Sequence, residues 1–438
     1  MKKRIHIALF AMLSGAITAQ TDTIKISLKQ AIEIGQQNRY DIQSNKYTIS
    51  ISENAVNRSK KEWIPEVTGS GNVRYNSQMQ VRILPAGMLG NTEPKAFSMD
   101  TKTNSVYSLD LTQIIYKPGI VTDIKIAKNN FELEKEKDRQ FEINTKIAIT
   151  ESYLNILLKK LQWKVANDNE SRYNEYMHVA EGKYKFGALL ENDYLKATLD
   201  YENAKVETQK QKQNYDLAIS NLKYQINATN ETSIVLTDSL TTVSALANES
   251  QQQTNPGNRT ELKQSDIMHQ NNELQLKKSY LNVLPSVSLF ANYSTQFQYT
   301  NFDYTQRDWW SPYNYIGVKV SIPITSNFKN SNTIRESKYR LAKTEMDLKQ
   351  KTADINYEIQ KTATELTNAQ QNMISTKANY DLSNTIYSNQ KQQYNLGSLQ
   401  YSSLLDNEKT LNTAEQNYIK AVYDYLMAKI SYDKALGN

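Results

Sequence analysis

Hydrophobic positions along this chain keep two different periods, and the switch between them happens twice in the same order. Between 285 and 299, Val287, Leu289, Ala291, Tyr293, Phe297 and Tyr299 alternate with Ser286, Ser288, Asn292, Ser294, Gln296 and Gln298; Phe290 is the exception. Period two marks a strand with one apolar and one polar face. A fainter alternation over 65–77 sets Val67, Val73 and Tyr75 against Thr68, Ser70, Asn72, Arg74 and Asn76. Two more strands are predicted, over 105–116 and over 314–324, where Ile316, Val318, Val320 and Ile322 oppose Gly317, Lys319 and Ser321.

After each strand pair the period becomes alternating steps of three and four, the mark of a helix with an apolar stripe. The last stripe runs through Leu411, Ala414, Tyr418, Ala421, Tyr425, Ala428, Tyr432 and Ala435. Positions 210 residues earlier, from Tyr201 through Ala204, Tyr215 and Ala218 to Leu222, keep the same register. Small residues alternating with Tyr or Leu make a narrow coiled-coil seam. "YKFGALL" from Tyr184 and "YNLGSLQ" from Tyr394 repeat at the same spacing, as do "WIPEVTGSGNVRY" and "VLPSVSLFANYST". The chain is thus predicted to be two tandem repeats, 20–227 and 258–438, joined by a linker over 228–257. From Gly119 to Lys185 is about 67 helix-like residues, roughly 100 Å of helix. Gly187 and Gly397 are the first glycines after such stretches, and glycine is most useful at a helix end. Each repeat is therefore expected to be a long antiparallel hairpin with its tip near 187 or 397. The shorter returning helix is expected to be completed by the segment before the strands, about 27–61 in one repeat and 258–283 in the other.

Composition fits long helices with thin seams: 13 Gly and 8 Pro in 438 residues, and 29 Tyr against 9 Phe. "MKKRIHIALFAMLSGAITAQ" has a basic start, an apolar run from Ile5 to Leu13 and small residues at Ala16 and Ala19. That is a secretory signal peptide over 1–19. Its loss removes Lys2, Lys3 and Arg4 and lowers the net charge from +6 to +3, a balance that calls for no nucleic acid. With no cysteine the chain has no disulfide or thiolate metal site. No later apolar run reaches the roughly 20 residues of a transmembrane helix, so residence in a membrane requires a β-barrel.

Four amphipathic strands cannot close such a barrel, which needs about eight or more. Chains must share one: two copies supply eight strands and three supply twelve. The aromatic loop between the last strands fits a membrane-interface girdle better than a core, because Asp303, Arg307 and Asp308 interrupt it. The interface residues are taken as Tyr293, Phe297, Tyr299, Trp309, Trp310 and Tyr313. Catalysis finds no support: His178 and His269 stand alone in polar helices, and no nucleophile–base pair, phosphate loop or metal spacing occurs.

Export signal, two repeats of helix, strand, strand and hairpin, prolines at the helix-to-strand switch and a Tyr-x-x-Gly-x-Leu tip together resemble the TolC-type outer membrane factors. The resemblance spans essentially the whole mature chain. It implies a mainly α fold with a β-barrel contribution: a homotrimer whose twelve-stranded barrel sits in the outer membrane and continues into a periplasmic α-helical tunnel. It implies an exit duct for a tripartite efflux pump, passing substrates from an inner-membrane pump and a periplasmic adaptor to the exterior, with no cofactor. The adaptor would dock on the tips at Tyr184, Gly187, Ala188, Leu189, Gly397 and Ser398. The family gate, carried over by position, pairs Tyr394 with Asp193. Leu399 stands where the family has a basic residue, and Ser403 and Asp406 occupy the acidic ring positions. Alternatives are the exit duct of a type I protein secretion system and an exported coiled-coil scaffold.

Overall fold

The computed structural model describes residues 23–88, 90, 92–98, 100–229, 231–240, 256–396 and 398–437. The signal peptide, Gly397 and much of the 228–257 linker lie outside the described residues. The chain divides into two compact units. One comprises residues 1–45, 138–258 and 355–438, and the other residues 46–137 and 259–354. Both sequence repeats contribute to both units.

The second unit is built on four long strands, β2 (Glu66–Tyr75), β5 (Thr103–Tyr116), β7 (Ser286–Tyr299) and β8 (Trp310–Ser321). They form one antiparallel sheet in the order β2-β5-β7-β8. β8 begins at Trp310 rather than 314, because the loop before it is closed by a 3-10 turn, Arg307–Trp309. The short β3 (Arg82–Leu84) and β4 (Lys95–Phe97) pair within the loop between β2 and β5.

Register assigns the two faces. Val67, Leu111, Ala291 and Ile316 share one cross-strand row, and Gly69, Leu109, Tyr293 and Asn314 the next. On the opposite face Thr68, Asp110, Asn292 and Tyr315 form a row. Side chains of that polar face bond one another: Ser70 to Ser108 at 2.8 Å, Ser108 to Asp110 at 3.0 Å and Asn292 to Asp110 at 2.7 Å. Phe290, out of step in the sequence, lies on this polar face opposite Gly317. A Cβ at Gly317 would stand 2.6 Å from Phe290 Cζ, so the glycine is what lets the ring lie down on the sheet.

A helix, α5 (Thr260–Leu281), lies antiparallel along the first part of α3 (Ile120–Lys185). Three contacts step along both helices in opposite directions: Lys278 to Asp123 at 2.5 Å, Asn271 to Asn130 at 2.8 Å and Gln264 to the Glu136 carbonyl at 3.2 Å. A cover for the first part of α3 thus comes from the second repeat. A local stripe pattern shows that a face is covered and not by which chain segment.

The first unit holds α1 (Leu28–Asn38), the beginning of α2 (Tyr40–Lys61), the later parts of α3 and α6 (Ser326–Asn395), and the helices α4 (Glu191–Gln225) and α7 (Tyr401–Leu436). A parallel pair, β1 (Thr23–Ile26) and β6 (Ser233–Leu236), adds a small sheet. Asp238 fastens it to the helices: its Oδ2 accepts from Leu28 N and from the hydroxyl of buried Tyr153, both at 2.9 Å. Around it Ile26, Ile149, Leu154, Leu222, Ile234 and Leu426 form the main apolar core. Ser27 caps α1 reciprocally with Gln30, its backbone N–H donating to Gln30 Oε1 at 2.9 Å.

Gly317→Val should drive Phe290 off the sheet and destabilise the protein by about 1–3 kcal/mol, as overpacking does. Adding Phe290→Ala should restore much of that loss in thermal unfolding of detergent-solubilised protein. Equal and additive losses would contradict the coupling.

Candidate functional site

The tips and the bundle beside them form the candidate site. α3 ends where Gly187 adopts φ +71°, a left-handed conformation that glycine enters without Cβ strain. Ala188 N donates to the Lys183 carbonyl at 2.8 Å, and 210 positions later Ser398 N donates to the Gln393 carbonyl at 3.0 Å. Tyr194 N to Leu190 O and Leu404 N to Gln400 O, both 3.3 Å, repeat the same offset. The sequence repeat is therefore a repeat of hydrogen bonds.

Tyr184 stacks on Tyr194 at 5.5 Å, and Ala188 and Ser398 are exposed with Leu189 half-buried. Three large apolar side chains that sequence reasoning missed stand in solvent at the same turns: Phe186 at 91%, Leu190 at 75% and Leu396 at 84% exposure. The signal was available, because none of them continues its helix's stripe.

The expected gate pair is not formed within the chain. Asp193 is exposed in the first turn of α4, and among the described residues no hydrogen bond joins it to Tyr394. Tyr394 is buried, edge-on to Tyr176 at 6.3 Å and against Tyr401 at 6.3 Å, with the Lys183 ammonium 4.8 Å over its ring. Burial pushes its hydroxyl up. Leu399, in place of a cation, packs on the same cluster. Asp406 is exposed, and Ser403 is half-buried. Tyr394 thus packs in a seam of tyrosines spaced by seven.

The cluster follows heptad spacing. Tyr380, Tyr387 and Tyr394 on α6 face Leu404, Leu411 and Tyr418 on α7, each set spaced by seven. Tyr380 stacks on Tyr418 at 5.9 Å. Seven-residue spacing on two antiparallel helices keeps one seam in register. α3 joins this seam through Tyr176, whose hydroxyl meets that of Tyr387 at 2.7 Å.

Beside them lies a buried ion pair. Arg172 Nε of α3 donates to Glu408 Oε1 of α7 at 2.6 Å, and Arg172 also bonds the Asn169 side chain. Glu408 has 0% exposure. Burial raises its carboxyl above the ordinary value, and Arg172 offsets only part of that rise. The Tyr176 hydroxyl is pushed up by burial and by the neighbouring Glu408. Sequence reasoning missed this pair too. Its signal was a carboxylate in the stripe Leu404, Glu408, Leu411 and a guanidinium in the stripe Asn169, Arg172, Tyr176.

At the sheet, Tyr293, Trp309 and Tyr313 are exposed, and Tyr299 and Trp310 are half-buried. Phe297 departs from the interface assignment, with 0% exposure. The loop after β7 folds back on it: Tyr304 lies 4.9 Å and Trp310 5.2 Å from its ring, and Trp310 Nε1 donates to the Tyr304 carbonyl at 3.2 Å. The loop's charge does not prevent this. Asp303 is satisfied locally by Thr305 and Gln306, so it stays at the surface while the aromatics turn inward. Among the described residues no helix is long and apolar enough to cross a membrane, and no group of metal-ligating side chains occurs.

This combination, an amphipathic antiparallel sheet with helical hairpins of several tens of residues, defines the fold of outer membrane efflux channels. Residues 256–438 match the family described as outer membrane efflux protein. Crystal structures of CusC share the fold with a TM-score of 0.75 at 15% identity, over 97% of this chain and 95% of theirs. The CmeC outer membrane channel of Campylobacter jejuni matches with a TM-score of 0.74 at 13% identity, over 100% of this chain and 94% of its own. The open-state MtrE outer membrane channel of Neisseria gonorrhoeae gives 0.72 at 12% identity, over 94% and 89%. No curated protein matches the sequence. The second half of the chain thus carries the sequence signature of the outer membrane efflux protein family, and the whole chain has that family's fold.

Arg172→Ala should cost about 3–5 kcal/mol, because it leaves Glu408 buried without a counter-charge. Tyr387→Phe should cost only about 1 kcal/mol, the net worth of one hydrogen bond. Thermal unfolding of the solubilised variants ranks the two, and a reversed order would contradict the burial argument.

Proposed function

We propose that this chain is the outer membrane exit duct of a tripartite efflux pump. Three copies contribute four strands each to one twelve-stranded barrel, and their hairpins continue it as a periplasmic tunnel. One observation carries this reading: the sheet has apolar side chains on one face, bonded polar groups on the other, and two unpaired edges, β2 and β8. Val67, Leu109, Tyr293, Ile316, Val318 and Val320 all stand exposed on the apolar face. Apolar area left in water costs roughly 25 cal/mol per Å², and lipid removes that cost. An edge strand in lipid leaves backbone groups unbonded at several kcal/mol each, so β2 of one copy must meet β8 of another. Closure also creates an aqueous lumen lined by the face that holds Asp110 and Asn292.

Substrates cross such a duct passively, handed on by a periplasmic adaptor from an inner-membrane pump. Phe186, Leu190 and Leu396, exposed beside Ala188 and Ser398, support tip docking, since an adaptor's helices would bury them. The structural neighbours CmeC and MtrE, described as outer membrane channels, support the channel part of this reading.

The protein mass of the detergent-extracted species, measured by light scattering with detergent subtracted, should be three chains. That species should conduct in planar bilayers. A monomer, or a species soluble without detergent, would refute the shared barrel.

A further inference from the structure

Away from the tips and the tyrosine seam, the first unit holds a cavity of about 610 Å³ between α3 and residues 238–240, just after β6. Its walls are mostly apolar, supplied by Leu157, Leu161 and Trp163 of α3 and by Leu240. Small-molecule sites have this character and occupy about 300–1,000 Å³. The Trp163 ring is held in place, stacked on Tyr215 of α4 at 5.6 Å. A wall fixed by its own contacts needs little further ordering when a ligand arrives.

Two cations border this apolar space. Lys160 and Lys164 are four positions apart on α3, so they stand one above the other on one face, and both line the cavity. Neither forms an ion pair among the described residues, and Lys164 acts on Glu415 of α7 only through space. The cavity's own carboxylate, Asp238, is already engaged, its Oδ2 accepting from Leu28 N and from the Tyr153 hydroxyl. Lysine stems lie along apolar surface while their heads stay in water. A chain resting on Leu161 and Trp163 would thus bring an anionic head to two ammonium groups with no bonded counter-charge. A neutral apolar molecule would leave both unused, and a cationic one would be repelled.

We propose that this cavity binds an anionic amphiphile, an acyl chain ending in a carboxylate or a phosphate. The chain lies against Leu161, Trp163 and Leu240, and the head sits between Lys160 and Lys164. The site is built within the first unit and does not depend on the duct reading. Free long-chain carboxylates and lysophospholipids share the chemistry it recognises.

The test is isothermal titration calorimetry of the full-length assembly, exchanged from detergent into a non-ionic amphipol so that no micelle competes for the probe. Dodecanoate should bind, one molecule per chain, and dodecyltrimethylammonium, with the same chain and the opposite charge, should not. Lys160 and Lys164 are exposed, so Lys160→Met with Lys164→Met should fold as the wild type does by circular dichroism. That variant should bind dodecanoate about tenfold more weakly or worse, the worth of one charge-assisted hydrogen bond. Lys160→Glu with Lys164→Glu should reverse the preference and take the ammonium probe. Dodecanoyl lysophosphatidate is titrated beside dodecanoate; binding of either supports the site, and the tighter of the two names its source. No binding to the wild type, as when residues 241–255 or a second copy fills the cavity, overturns the proposal. Equal binding of the two charge types, or an unchanged affinity in the methionine double variant, overturns it as well.

Discussion

An edge strand carries a row of amide and carbonyl groups, and in hydrocarbon those groups have only other strands to bond. The four-stranded sheet has two such edges, and this constraint organises the rest of the molecule. In the duct proposed above it calls for further copies, and it turns the alternation of side chains into an inside and an outside. It also explains the care spent on the polar face, where Ser70, Ser108, Asp110 and Asn292 bond one another across three strands. Phe290 is accommodated on that face by Gly317, a local exchange of side-chain volume between neighbouring strands.

The helical part answers a different problem, holding long polar helices together with little apolar surface. Its solution is tyrosine at seven-residue spacing. A ring fills the seam while the hydroxyl either reaches solvent or finds a partner, as Tyr176 and Tyr387 do. A seam this thin tolerates one ion pair because Arg172 and Glu408 sit where three helices meet.

The strands and hairpins were legible because amphipathic elements must write their period into the sequence. Val287, Leu289 and Ala291 declare a strand before any partner is known, and Gly187 declares a tip because few other residues accept its backbone angle. What stayed hidden depends on neighbours distant in sequence. β1 and β6 have four residues each, too few to show a period, and their parallel pairing crosses 210 positions from Thr23 to Ser233. Phe297 has the pattern of an outward residue, and only the returning loop with Tyr304 and Trp310 buries it. Tyr394 matched a gate by position, yet its surroundings make it part of a seam. The Arg172–Glu408 pair needed two stripes to be superposed, which a single chain segment cannot do.

The cover that α5 gives the first part of α3 has a consequence for biosynthesis. Asp123 meets Lys278 across 155 positions of chain, so the beginning of α3 emerges long before the helix that shields it. During that interval its stripe is open to any apolar surface in the export path or the periplasm. Contacts of such sequence separation form slowly, because loop closure must precede their reward. α5 also meets α6 of its own repeat, Asn330 Nδ2 donating to the Ser279 carbonyl at 2.6 Å, so it is the first repeat that waits for cover. The beginning of α3 can therefore gain this cover only once α5 has been made.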